Sequence, residues 1–148
     1  HFLIDKDGTI YQTASLFKVT WHVGKSRSKC FVEKKCEPAE FKKIVGLERL
    51  GATQKISNIE KKKPFPERFP NNTDSIGIEI VGQAKEREVR DVVTGEKTIY
   101  EEVNDKQNES LRWLIAQLTY TLDVPMIDIY RHPDIARKNL TEASTAKW

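Results

Sequence analysis

An α/β fold in a single domain is what this sequence predicts, from three observations. Short runs rich in β-branched or aromatic residues, bounded by turn formers, occur at the start of the chain and around residues 76–81 and 126–130. Two other stretches, 38–50 and 104–122, space their apolar residues with a helical period. The 148 residues suit one domain. A chain of that length buries roughly 70% of its unfolded surface, enough for a real core.

Composition narrows the partners. The 25 basic and 22 acidic residues leave a net charge of +3, too balanced to argue for nucleic acid. No apolar run approaches the roughly 20 residues of a membrane span. The chain opens directly on strand-like His1-Phe2-Leu3-Ile4 with no initiator Met, so a further N-terminal segment is expected upstream.

In chain order, residues 2–5 and 9–13 read as a β-hairpin, with Asp7-Gly8 as the turn signal. Residues 19–23 read as a short extended piece carrying Trp21 and His22. His22 is either an ordinary loop histidine or, with Trp21 beside it and Gly24 after it, part of a cleft wall. Cys30 and Cys36 close a short loop with no histidine or second cysteine pair close enough in sequence for a zinc knuckle. They read as a disulfide in an oxidising compartment, worth ~2 kcal/mol, against two free thiols in a reducing one.

Pro38 opens a helix whose Phe41, Ile44 and Val45 share a face, and Gly51 closes it. Residues 52–72, with Pro64, Pro66, Pro70 and the Lys61-Lys62-Lys63 run, read as a long irregular connection. The lysines are either a solvated loop or a surface that attracts an acidic polymer. Ile76-Gly77-Ile78-Glu79-Ile80-Val81 reads as a short buried strand. A carboxylate there needs a partner or a task. Glu79 is therefore either an edge-strand residue facing water or a general base aimed into a cleft.

Residues 92–100 read as a second hairpin with a turn at Thr94-Gly95. Asn104 and Gln107 have capping-box spacing at the start of the longest helix. Leu111, Leu114, Ile115, Leu118 and Leu122 form its apolar face, and Pro125 stops it. Residues 126–130 read as a last strand, which delivers His132. His132 and Glu142 are both good Zn²⁺ donors and make half of a metal site, with Lys138 between them. The alternative is a helix start with a surface glutamate.

The blocks HFLIDKDGTIYQ, WHVG, NNTDSIGIEIVG, QNESLRWLIAQL and YRHPDIARKNLTEAS, in that order, resemble the zinc-dependent N-acetylmuramoyl-L-alanine amidases. That superfamily includes the peptidoglycan recognition proteins. The likeness leaves out roughly residues 25–70, which look like a loop and helix insertion. It implies a mixed β-sheet flanked by helices and hydrolysis of the amide between the lactyl group of muramic acid and L-alanine. It implies Zn²⁺ as cofactor, with His132 as one metal ligand and Glu142 where the family usually has an Asp or Cys. It implies Glu79 and Lys138 as catalytic, and Trp21, His22 and Asn72 as substrate-binding. His1 matches a position that is not a ligand. The family's first zinc histidine lies on a strand before that point and is not in this sequence. Peptidoglycan and its muropeptides are the implied partners, in the periplasm or outside the cell. A non-catalytic peptidoglycan-binding module is the alternative. An antibacterial effector countered by an immunity protein is a further variant of the same chemistry.

Overall fold

The computed structural model describes residues 1–92 and 95–148. The elements run β1 (Phe2–Ile4), β2 (Ile10–Gln12), α1 (Lys29–Val32), α2 (Pro38–Arg49), α3 (Thr53–Glu60), β3 (Ile78–Ile80), β4 (Ala84–Glu86), β5 (Thr98–Tyr100), α4 (Asp105–Leu122) and α5 (His132–Ile135). A 3₁₀ turn, Met126–Asp128, precedes α5. This is an α/β fold. Its contacts gather into two compact units.

The first unit comprises His1–Lys18, Gly77–Asp134 and Lys138–Trp148. Its sheet has the order β2-β1-β3, with β1 antiparallel to β2 and parallel to β3, so it is mixed as expected. The β1–β2 hairpin turns on Gly8, whose φ is +90° and whose N–H donates to the Asp5 carbonyl at 3.0 Å. Helix α4 packs on β1 and buries Leu111, Leu114 and Ile115 with Phe2 and Ile4. Its N-terminus is closed by the capping box read from the sequence: Asn104 Oδ1 accepts from the Gln107 amide, and Gln107 Oε1 accepts from the Asn104 amide. The buried Gln107 also donates its side-chain N–H to the Val81 carbonyl at 2.8 Å. One residue thereby joins the helix start to the end of β3. Leu118 is only half-buried and Leu122 is exposed, so the apolar face ends a turn early.

His1 fastens the other end of the sheet. Its Nδ1 accepts from the Gly77 amide at 3.1 Å, which leaves Nε2 to donate to the Lys18 carbonyl at 2.9 Å.

The second unit comprises Val19–Ile76 and Ile135–Arg137, and spans the stretch expected as an insertion. Ile44 of α2 and Ile56 of α3 are fully buried, with Val23, Phe69, Ile135 and Ala136 also in the core. Glu60, 1% exposed at the end of α3, accepts from the Lys29 amide and from Lys63 Nζ. Cys30 and Cys36 are disulfide-bonded, as the short loop suggested.

Four local expectations differ from the structure. Residues 53–60 are helix α3 and not irregular chain, because Ile56 and Ile59 share a face that packing against α2 can bury. Residues 126–130 form the 3₁₀ turn and an extended exit, not a strand, and no strand among the described residues is paired with them. Residues 19–23 form no strand either. The second hairpin exists, but β5 pairs with β4 at Ala84–Glu86, upstream of the expected partner. Of its expected turn, Thr94 lies outside the described residues, as does Val93.

Candidate active site

The first unit brings His132 and Glu142 together. Asp128 accepts from the Tyr130 hydroxyl at 3.1 Å at the end of the 3₁₀ turn, and the chain then runs extended into His132, the first residue of α5. Arg131 secures that entry. Its Nη2 donates to the Ala146 carbonyl at 2.7 Å, and its guanidinium lies over the Trp148 ring, 4.6 Å from the centroid. Arg131 thus clamps the segment before His132 to the segment after Glu142. Its Nε is buried and has no hydrogen-bond partner among the described residues.

Glu142 sits in a succession of tight turns. Its amide donates to the Asn139 carbonyl at 3.0 Å, and Ser144 and Ala146 donate to Thr141 and Ala143. Ala143 has φ +47°, the left-handed region that a Cβ disfavours by ~1 kcal/mol or more. Such strain persists only where surrounding contacts hold the backbone in place.

The His132 Nδ1 and Glu142 Oε2 atoms are 3.6 Å apart, and both side chains are about one quarter exposed. That is too long for a good hydrogen bond. Two donors each about 2.1 Å from a tetrahedral zinc would lie about 3.4 Å apart. The pair therefore fits two adjacent corners of such a site. Among the described residues, no group of three or more His, Cys, Asp or Glu side chains could hold a metal.

Glu79 lies on β3, which ends the sheet among the described residues, opposite Leu3 of β1. The strand is half-buried and not fully buried as expected; among the described residues its one paired neighbour is β1. Its carboxylate is exposed, which spares it the desolvation cost that burial would impose. Lys138 is also exposed.

Trp21, His22 and Asn72 belong to the second unit. Asn72 Oδ1 accepts from the amides of His22 and Val23 at 3.2 and 2.9 Å, so this side chain shapes the loop under His22. Ser75 donates its hydroxyl proton to the Asn71 carbonyl at 2.6 Å. It must therefore accept from His22 Nε2, 2.8 Å away. His22 Nδ1 faces Thr20 at 3.0 Å. Trp21 is 89% exposed beside this histidine. The basic segment is less available than the sequence suggested. Arg68 is buried against Asp74 at 2.5 Å, and Lys63 is held between Glu40 and Glu60. Lys61 and Lys62 are exposed.

The sequence reading missed Arg131 as a clamp, and it missed Asn139 and Thr141, which hold the Glu142 loop. Asn-x-Thr is a side-chain turn signal that could have drawn attention to the last two.

Compared with protein-family models, residues 1–145 match the family N-acetylmuramoyl-L-alanine amidase. No curated protein and no solved structure matches the chain. The match takes in β1 through the Glu142 loop, including both members of the donor pair. The chain belongs to the N-acetylmuramoyl-L-alanine amidase family.

Proposed function

We propose that the protein hydrolyses the amide between the lactyl group of N-acetylmuramic acid and L-alanine in peptidoglycan, at a site built on His132 and Glu142. What supports this reading is the 3.6 Å approach of those two side chains, ten residues apart in a loop that the family match includes. Zinc, held by His132 and Glu142, would supply Lewis-acid polarisation of the scissile carbonyl. Glu79 takes a proton from the attacking water and returns it to the departing alanine nitrogen. An exposed carboxylate suits that role, since it is open to both water and substrate. Lys138 offers a positive charge to the oxyanion that develops on the carbonyl. Trp21 and His22 bind the substrate, with Asn72 holding their loop. The disulfide suits a periplasmic or secreted protein.

A non-catalytic peptidoglycan-binding module is the second reading.

Glu79→Gln keeps the shape and removes the base. Hydrolysis of purified peptidoglycan by the full-length protein should fall about 10²–10⁴-fold with the fold intact. His132→Ala and Glu142→Ala should each abolish hydrolysis, and the double variant should lose no more than either. If Glu79→Gln hydrolyses as the wild type does, Glu79 is only a strand residue. If the wild type binds peptidoglycan but releases no new amino terminus, the binding module is correct.

A further inference from the structure

The loop that carries Glu142 is fastened to β5 by side chains. One edge of β5 is used by its partner strand: Arg87 N–H donates to the Lys97 carbonyl and Glu101 N–H to the Gln83 carbonyl, both at 2.8 Å. The Thr98 carbonyl and the Tyr100 N–H are among the groups on its other edge. Asn139 Nδ2 donates to that carbonyl at 2.8 Å, and Thr141 Oγ1 accepts from that N–H at 3.0 Å. The two side chains are joined to each other. Asn139 Oδ1 accepts from the Thr141 hydroxyl at 2.7 Å and from the Thr141 amide at 2.8 Å. Asn139 Nδ2 also reaches Glu96 Oε2 at 3.2 Å. Asn139 and Thr141 together satisfy one acceptor and one donor of that strand edge.

The position of Glu142 follows from this bracket. Its amide is tied to the Asn139 carbonyl, and it is the next residue after Thr141. We propose that Asn139 and Thr141 are positioning residues that set the Glu142 carboxylate against His132. The proposal rests on the reading of His132 and Glu142 as the donor pair of the site. Without the Thr141 hydroxyl, the Tyr100 N–H and Asn139 Oδ1 each lose a partner, and the turn that aims Glu142 is released.

Thr141→Val removes the hydroxyl at nearly constant shape, and Thr141→Ser keeps it. Asn139→Asp keeps the acceptor for Thr141 but loses the donor to Thr98, and serves if the valine variant does not fold. Three quantities are read on the full chain: hydrogen exchange of the Tyr100 amide, the NMR signals of the His132 ring without metal, and Zn²⁺ affinity by chelator competition. In Thr141→Val, Tyr100 exchange should accelerate and the His132 signals should move as they do in Glu142→Gln. Zn²⁺ affinity should fall about tenfold, as expected when a ligand loses its support. Thr141→Ser should match the wild type in all three. Faster Tyr100 exchange with unmoved His132 signals would overturn the proposal and leave the bracket as an edge cap only. If the wild type binds no Zn²⁺, or His132→Ala binds it equally well, the metal reading fails. The His132 ring signals then decide the positioning proposal on their own.

Discussion

Lys63 Nζ lies 2.5 Å from Glu40 and 2.6 Å from Glu60, and Glu60 is 1% exposed. Burial of the ammonium pulls its pKa down, but the hydrogen bonds and charges of Glu40 and Glu60 outweigh this and hold it above the ordinary 10.5. A group whose pKa is raised on folding stabilises the fold fully below its unfolded value. That contribution is lost as pH rises through the folded value. The second unit should therefore lose stability only above about pH 10.5 on account of this residue. Lys63→Met strands the Glu60 charge in the interior and should cost about 3 kcal/mol near neutrality. It should also flatten the alkaline limb of a stability-against-pH curve measured by denaturant unfolding. An alkaline limb as steep as the wild type's would show that Lys63 does not supply it. The lysine run in the sequence offered no hint of this, because the two carboxylates that claim Lys63 come from α2 and α3.

At the scale of elements, α1 has only four residues, far too few to be stable alone. It persists because its neighbours hold it. Phe31 stacks on Phe41 of α2 with centroids 5.9 Å apart, and Cys30 is bonded to Cys36 just beyond the helix. Lys29 reaches back from its first turn to the Pro66 carbonyl at 2.9 Å and lies 5.8 Å from the Phe65 ring. Replacing both cysteines with serine should cost about 2 kcal/mol, a fall in Tm of roughly 6 °C for a chain of this size. Alkylation without reductant, followed by mass measurement, should label neither cysteine. Labelling of both would remove the argument for an oxidising compartment.

Across the whole chain, charge is unevenly divided. The second unit carries twice as many basic as acidic side chains, whereas the first unit is net acidic. Stem peptides of peptidoglycan are acidic, so the basic unit would raise their local concentration through its long-range field. Lys61 and Lys62 are the members of the run left exposed, since Lys63 is claimed by its ion pairs. Lys61→Glu with Lys62→Glu should weaken binding of the full-length protein to purified sacculi severalfold at low salt. The difference should vanish when added salt shortens the screening length below about 5 Å. Equal binding at low salt would mark the run as a solvated loop.

Those parts of the molecule that short-range chemistry dictates could be read from the residues directly. The β1–β2 hairpin follows from Asp7-Gly8, because only a residue without Cβ takes a φ of +90° freely. The start of α4 follows from Asn104 and Gln107, because both halves of the cap lie within one turn. Two cysteines six residues apart made the disulfide one of two readings, and the folded chain bears it out. The pairing of His132 with Glu142 was legible as a motif, through their spacing and the family likeness. Helix α3 was not legible, because its turn-rich flanks hid an apolar face that acquires meaning only against α2. The exposure of Glu79 was not legible either: a run of β-branched residues looks the same in a central strand and at an edge. Only the folded chain, in which the described strands pair in the order β2-β1-β3, decided between the two. The hold of Asn139 and Thr141 on β5 likewise joins residues some 40 positions apart, and only the folded chain brings them within hydrogen-bonding reach.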